Sequence, residues 1–364
     1  MVRDRMNRGR RRMPRTYSEG CVPNMTQPNG ATRIPLNTLA ISFGTAGLAS
    51  MWTSAGKALG LPDWPADTAW VIAAVVWVWL IVAHTVRGRA SADTLVGQLQ
   101  HPAQGPIAAI VPVVGMMLGA HLFLYWPVGG MVVALTSMAV TALYAGWLLA
   151  YWVTGTIEID SVHGAFFLPT VAGTLIAAAV AADLGFASLA MGAFAVGVFF
   201  WGVIFALILA RLIFRPALPA PLIPTLAILV APPAVAGNAW FAIVGHSMDA
   251  VQDAFAASAV LLGLMQLALL PTYMRLKFSL GFWSFTFPAA ALVGYAVGWL
   301  GIVRPWGWQV IAAAALALAT GLIVAIAVAS VRLAIASGRD RRRSAADELR
   351  DADSEIESDA VWTS

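Results

Sequence analysis

Charged residues are almost absent from a long central stretch of this chain, and that absence limits its fold more than any other feature. The sequence has forty charged side chains, of which ten lie in residues 1–35 and fourteen in residues 332–364, so only sixteen remain for the 296 residues from 36 to 331. A soluble domain is roughly 25% charged, whereas this chain is 11% charged and 60% hydrophobic. The composition excludes a soluble enzyme, a nucleic-acid-binding domain and a disordered chain, and it indicates an all-α polytopic membrane protein.

Apolar runs long enough to cross a bilayer occur ten times. A helix needs roughly 20 apolar residues to span about 30 Å of hydrocarbon. The runs are 36–59, 68–86, 105–125, 128–152, 165–182, 187–212, 223–246, 252–274, 282–302 and 307–336. We therefore predict a ten-helix membrane domain over 36–336. The flanking segments, an Arg-rich tail at 1–35 and a charged tail at 337–364, are predicted to be disordered.

The basic residues give the domain an orientation. If the loops alternate between the two sides of the membrane, twenty of the 22 basic residues fall on the side of the two tails, and only Lys57 and Arg304 fall on the other. Basic residues stay on the cytoplasmic side of a membrane. The pattern predicts a multi-pass protein of the bacterial inner membrane with both termini in the cytoplasm.

The odd-numbered runs share a feature that the even-numbered ones lack. A Gly or Pro interrupts each odd run at positions 44, 112, 169, 233 and 288, at intervals of roughly 60 residues, whereas no even run has a Pro near its middle. A repeat that contains two spans indicates five tandem helical hairpins. Interrupted helices are tolerated in a bilayer where neighbouring helices or a cavity satisfy the freed backbone groups. We expect the odd spans to surround a central path; the alternative is that Pro and Gly serve only close helix packing.

Three tracts resemble a known family. They are FFLPTV at 166–171, ILVAPPAVAG at 228–237 and WSFTFP at 283–288, and His101-Pro102 before the third span fits the same pattern. The chain resembles the tellurite-resistance/C4-dicarboxylate transporter family, which includes fungal malate permeases and sulfite exporters and the slow-type anion channels of plants. The resemblance implies a quasi-five-fold arrangement of five hairpins around a pore, usually as a homotrimer, and the transport of small inorganic or organic anions.

The resemblance also implies that a Phe from the ninth span plugs the pore. The family's gating Phe maps best onto Phe287. Phe285 is two residues away, so on a helix it points about 200° from Phe287 and only one of the two can face the axis. A core or lipid-facing aromatic residue is the alternative for Phe287. The other positions predicted to line or bend the path are Phe43, Gly44, Pro112, Leu168, Pro169, Pro233 and Pro288.

The predicted path has little chemistry of its own. No Asp, Glu, Lys or Arg lies in the central part of any span, and an ionisable group there would cost roughly 3 kcal/mol. This favours passive conduction over ion-coupled transport. Basic residues at the cytoplasmic loops can make that mouth positive, although the same residues satisfy the topology rule. Candidate anion contacts are Ser42, Thr45, Thr170, Thr174, Asn238, Ser284 and Thr286; interhelical hydrogen bonding is the alternative for each.

Other functions have weaker support. The single cysteine, Cys21, lies in the N-terminal tail, and the five histidines are scattered, so we predict no metal site. No phosphate-binding loop, dinucleotide motif or nucleophile triad is present, which predicts no cofactor and no enzymatic activity. The partners expected are membrane lipid and small anions, not nucleic acid. Two alternatives to a channel remain: a coupled carrier of malate or an exporter of sulfite or a tellurium oxyanion, and a non-conducting membrane scaffold.

Overall fold

The computed structural model describes residues 33–155 and 157–362, with side chains described as far as residue 339. The predicted tail at 1–35 lies almost entirely outside these residues. The described part is all-helical, as predicted. Its α-helices are α1 Ala40–Leu59, α2 Trp64–Arg89, α3 Leu95–Gln100, α4 Ile110–Phe123, α5 Pro127–Thr154, α6 Gly173–Asp183, α7 Ala187–Phe214, α8 Ala231–Val244, α9 Ala250–Tyr273, α10 Thr286–Val303 and α11 Trp308–Trp362.

Nine helical segments in the described residues are long and apolar enough to cross a membrane. The segment that contains α1 is not among them, although the sequence predicts a span at 36–59. Its helix carries several Ser, Thr and Gly residues and contacts α2, α4, α10 and α11. Small residues and hydroxyl-bearing residues are typical of a helix that packs closely against other helices within a membrane.

Five helices contact one another in a closed cycle, in the order α1, α4, α6, α8 and α10 and back to α1. We call these the inner helices. Each also packs against the helix that follows its membrane segment, namely α2, α5, α7, α9 and α11, which we call the outer helices. The four inner segments that contain α4, α6, α8 and α10 are 39–72% buried, whereas the five outer segments are 11–28% buried. The outer helices therefore present the apolar surface that a bilayer would cover.

The inner helices α1 and α10 run parallel and approach closely. A Cβ at Gly44 would collide with Thr286 of α10, and further along both helices a Cβ on Gly301 would lie 3.0 Å from that of Ala58. The contacts thus advance in the same direction along both helices. Small residues allow such close backbone approach in the absence of a hydrophobic driving force.

Each inner α-helix begins after a short segment of another helical type. The 3₁₀ segments Leu36–Leu39, Gly105–Ala109, Ala220–Val230 and Leu280–Phe285 precede α1, α4, α8 and α10, and the π-helical turn Leu168–Ala172 precedes α6. Pro112, Pro233 and Pro288 are each the third residue of their α-helix, in α4, α8 and α10 respectively. Proline is tolerated in the first turn because its missing N–H would lack an intrahelical partner there. The prolines therefore mark where an α-helix starts inside the span.

The C-terminal helix is longer than the sequence predicts. The last span was expected to end near residue 336, before a disordered tail, whereas α11 continues to Trp362. The added part contains Ala, Glu, Arg and Leu, which have high helix propensity, and it continues a helix that is already formed.

Candidate functional site

Two cavities lie one after the other along the inner helices. The narrow cavity, of about 60 Å³, is lined by the 3₁₀ and π-helical segments and the first turns of the inner helices. The wide cavity, of about 560 Å³, is lined by their later turns. On α1, for example, Ala40 and Phe43 line the narrow cavity, whereas Ser50 and Ser54 line the wide one. All five inner helices follow this order, so the cavities occupy successive levels of the bundle.

Phe287 lies where the two cavities meet. It lines both of them, as does Val235 of α8. Its ring is stacked on that of Phe43, with centroids 3.6 Å apart and an interplanar angle of 11°, and its side chain is only 7% exposed. Phe285 points elsewhere, since it contacts the ring of Tyr273 at 4.8 Å. An apolar ring at this junction can separate two water-accessible spaces.

The prolines contribute less to the cavity walls than the sequence suggested. Pro288 lines the narrow cavity, as do Phe43 and Leu168. Four other predicted positions are buried but line neither cavity: Gly44, Pro112, Pro169 and Pro233. On α8 it is the preceding Pro232 that reaches the narrow cavity. Because adjacent residues on a helix differ by about 100°, a proline can set the helix start without facing the path.

Of the seven polar candidates, Asn238 lines the wide cavity and Ser284 lines the narrow one. Four of the others donate their hydroxyl groups to backbone carbonyl oxygens of the preceding turn: Ser42, Thr45, Thr174 and Thr286. This is the local bonding that Ser and Thr commonly adopt inside helices. The Thr170 hydroxyl is buried without a hydrogen-bond partner in the described structure, and it lines neither cavity.

Sequence reasoning missed two polar residues of the narrow cavity, Asn37 and Thr225. The buried Asn37 side-chain oxygen has no hydrogen-bond partner in the described structure. The signal for Asn37 was its spacing, because residues 37, 40 and 43 all line this cavity. Residues three apart share a face in a 3₁₀ helix, so Asn37 could have been predicted to lie on the same face as Phe43.

The two cavities differ in charge. None of the residues lining the narrow cavity is ionisable, as the sequence predicted for the centre of the path. The wide cavity is lined by five ionisable residues: Lys57, His121, Asp183, His246 and Arg304. His121 also lies 3.5 Å from the Asp67 carboxylate of α2.

A buried cation and a buried imidazole hold the loop before α6. The Arg211 guanidinium donates to the backbone carbonyl oxygens of Asp160 and Pro216. Nearby, His163 is completely buried and its ring nitrogen accepts from the N–H of Ala165. Burial lowers the pKa of His163 to about 4, and the positive charge of Arg211 acts in the same direction. The imidazole is therefore neutral near pH 7 and fixes the approach to the narrow cavity.

The described residues include no group of three His, Cys, Asp or Glu side chains that could hold a metal ion. The site consists of an apolar constriction between a small uncharged cavity and a larger charged one. Such a site can pass or block an ion.

Comparison with known proteins identifies the family. Residues 33–334 match the family described as voltage-dependent anion channel. The chain is also similar to the tellurite resistance protein TehA homolog of Haemophilus influenzae, with 22% identity over 274 residues that cover 75% of this chain and 82% of that protein. Both findings confirm the resemblance predicted from the sequence motifs. This multi-pass membrane chain therefore belongs to the voltage-dependent anion channel family.

Proposed function

We propose that this chain is a channel for small anions whose central path is closed by Phe287. The observation that carries the proposal is the position of the Phe287 ring, which lines both cavities and stacks on Phe43. Movement of this ring would join the narrow cavity to the wide one. Membership of an anion channel family supports the choice of ligand.

The proposed architecture is a quasi-five-fold ring of five hairpins, each made of one inner and one outer helix. The closed cycle of inner helices supports this arrangement. It requires that α1 also crosses the membrane, in addition to the nine apolar segments described above. The chain lies in the bacterial inner membrane with both termini in the cytoplasm, an orientation supported by the distribution of basic residues. A homotrimer with one path per subunit is proposed from the family resemblance.

Transport is proposed to be passive rather than coupled to protons or sodium ions. Coupled carriers place an ionisable residue within the membrane where the mechanism requires it. The narrow cavity has none, and its polar groups are those of Asn37, Thr225 and Ser284 together with the backbone. Amide and hydroxyl donors can replace part of the hydration shell of an anion without attracting cations.

A tellurium oxyanion is a second candidate cargo, because the similar protein from Haemophilus influenzae is named for tellurite resistance. Malate and sulfite are alternatives that the family resemblance also implies. Coupled uptake would be abolished by a protonophore at constant membrane potential. Channel transport would follow the anion gradient and the voltage alone.

The test is anion flux into proteoliposomes that contain the purified protein. Phe287→Ala is expected to raise the flux above that of wild type, because it removes the ring between the cavities. Phe285→Ala is the matched control, since it removes the same side chain from a residue that contacts Tyr273 instead. Equal flux in wild type, Phe287→Ala and Phe285→Ala, with equal protein incorporation, would remove Phe287 from this role. Absence of flux in all three would favour a scaffold.

A further inference from the structure

The ionisable residues of the wide cavity are distributed one to each inner helix. Every one of them lies near the end of its helix or in the residues that follow it. Lys57 belongs to α1, His121 to α4, Asp183 to α6, His246 follows α8 and Arg304 follows α10. We call these five residues the mouth ring. They recur along the chain at intervals of 64, 62, 63 and 58 residues, close to the spacing of the interrupted spans, and the closed cycle of helices brings them together.

Two members of the mouth ring have an unusual backbone conformation. His246 and Arg304 are the two non-glycine residues of the described structure with positive φ, at 61° and 51°. Such conformations cost energy for residues with a Cβ, and they are concentrated at functional sites. Both residues are exposed and both line the wide cavity.

Two further members have side chains without a hydrogen bond or close ion pair in the described residues. Both residues, Lys57 and Asp183, are exposed, and their side chains make no hydrogen bond or ion pair with any group in the described residues. Lys57 and His246 are nevertheless close enough to Asp183 to interact electrostatically with its carboxylate. These side chains are thus available to a ligand in the cavity.

The topology of the chain singles out the same positions. Lys57 and Arg304 are the two basic residues that the alternating loops place on the side away from the tails. Basic residues are disfavoured on that side. Both of these exceptions line the wide cavity.

Capping of helix C-termini is the simplest alternative explanation. Cations are favoured at the negative end of a helix dipole, and Arg304 indeed donates its Nε–H to the carbonyl oxygen of Gly301. Capping does not explain Asp183, because a carboxylate at the end of α6 is disfavoured by the same dipole. It also does not explain why Lys57 makes no hydrogen bond within the described structure.

The geometry points to an anion-binding site at the mouth ring, which captures small inorganic anions before they reach Phe287. The lining residues of the ring carry two permanent cations against one carboxylate, a net charge of +1 when both histidines are neutral, and the Asp67 carboxylate of α2 lies 3.5 Å from His121. A ring of charged side chains at a pore mouth concentrates ions of the opposite sign. Lys57 and Arg304 supply the attraction, and Asp183 limits it so that the anion can leave. This inference deepens the proposed channel function and rests on it.

The site can be tested without any measurement of conduction. A Cys21→Ser background leaves no other thiol in the chain, and Ser54→Cys then places one in the wide cavity. The rates of its modification by an anionic and a cationic methanethiosulfonate reagent are compared in purified protein. Each rate is divided by that for a small free thiol, so that the ratio reports the local potential.

The ratio is expected to favour the anionic reagent. Residues three apart on a helix have Cβ atoms about 5–6 Å apart, so Lys57 neighbours residue 54. A unit charge about 8 Å away in water changes the local concentration of a monovalent ion by about two-fold. Lys57→Gln and Arg304→Gln should therefore each lower the ratio by about two-fold or more, and Asp183→Asn should raise it. Lys57→Arg should preserve it, as should Arg332→Gln on the exposed surface of α11.

Binding is tested by iodide, with gluconate keeping the ionic strength constant. Iodide should slow the anionic reagent in a saturable way, and the protection should be lost in the Lys57→Gln, Arg304→Gln double variant. A ratio that is unchanged by both neutralisations, or the absence of saturable protection, would overturn the site. Because labelling needs no open path, these outcomes are separate from a failure of Phe287→Ala to conduct.

Discussion

The contact between Phe43 and Phe287 yields a quantitative prediction about the closed state. Their rings stack face to face at 3.6 Å, and both side chains are buried. An aromatic pair contributes about 0.5–1.5 kcal/mol beyond the area that it buries. If Phe287 must leave Phe43 to open the path, Phe43→Ala removes this contribution from the closed state only. The open population, and with it the anion flux, should then rise by about two- to twelve-fold while the open state remains the minor one.

The assay is halide influx into proteoliposomes that contain an encapsulated quenchable dye. Phe43 also lines the narrow cavity, so its truncation widens the path directly. A double-mutant cycle separates the two effects. Phe43→Ala should raise the flux in the wild-type background but add little to Phe287→Ala, where the stacked pair is already lost. Equal increases in both backgrounds would refute the stacking argument, as would an unchanged flux in Phe43→Ala alone.

Two further predictions concern stability, measured by thermal unfolding in detergent. Burial depresses the pKa of His163 to about 4 from 6.5, so the unfolded chain takes up a proton first as the pH falls. The contribution of His163 to the stability is fully present above pH 6.5 and falls by about 3 kcal/mol towards pH 4. His163→Asn, which keeps an acceptor for the Ala165 N–H, should remove this pH dependence. An unchanged pH dependence in that variant would contradict the assignment. Gln252 is fully buried, donates to the Gly237 carbonyl oxygen and accepts from the Tyr295 hydroxyl. Gln252→Leu removes the side-chain donor to the Gly237 carbonyl oxygen and one of the two acceptors of the Tyr295 hydroxyl, which keeps the backbone carbonyl oxygen of residue 252. The substitution should cost about 1–3 kcal/mol, and a loss below about 0.5 kcal/mol would show that these hydrogen bonds contribute little.

Most of the spans could be predicted from the sequence because lipid demands long apolar helices with internally satisfied backbones. Interruption of the odd spans was also readable from Pro112, Pro233 and Pro288. Of these three prolines, Pro288 lines the narrow cavity as predicted, whereas Pro112 and Pro233 line neither cavity. Proline determines where the α-helix begins, whereas the rotation of the helix decides which neighbour reaches the cavity, as Pro232 does.

The candidate site, too, could be predicted only in part from the sequence. The choice of Phe287 over Phe285 depended on family resemblance, because a helix pattern says only that one of the two faces inwards. The mouth ring was not predicted, although its members recur at intervals of 58 to 64 residues, because these residues differ in type and in charge. Lys57 and Arg304 did stand out as the two basic residues that the predicted topology places on the side away from the tails, and that signal could have indicated a charged cavity.

An anion path closed by Phe287 is tested most directly by the reversal potential of the Phe287→Ala variant in a planar bilayer under a potassium chloride gradient. We expect a current well above that of Phe285→Ala, reversing near the equilibrium potential of chloride. Reversal near the potassium potential, or a current equal to that of the control, would contradict an anion path closed by this ring.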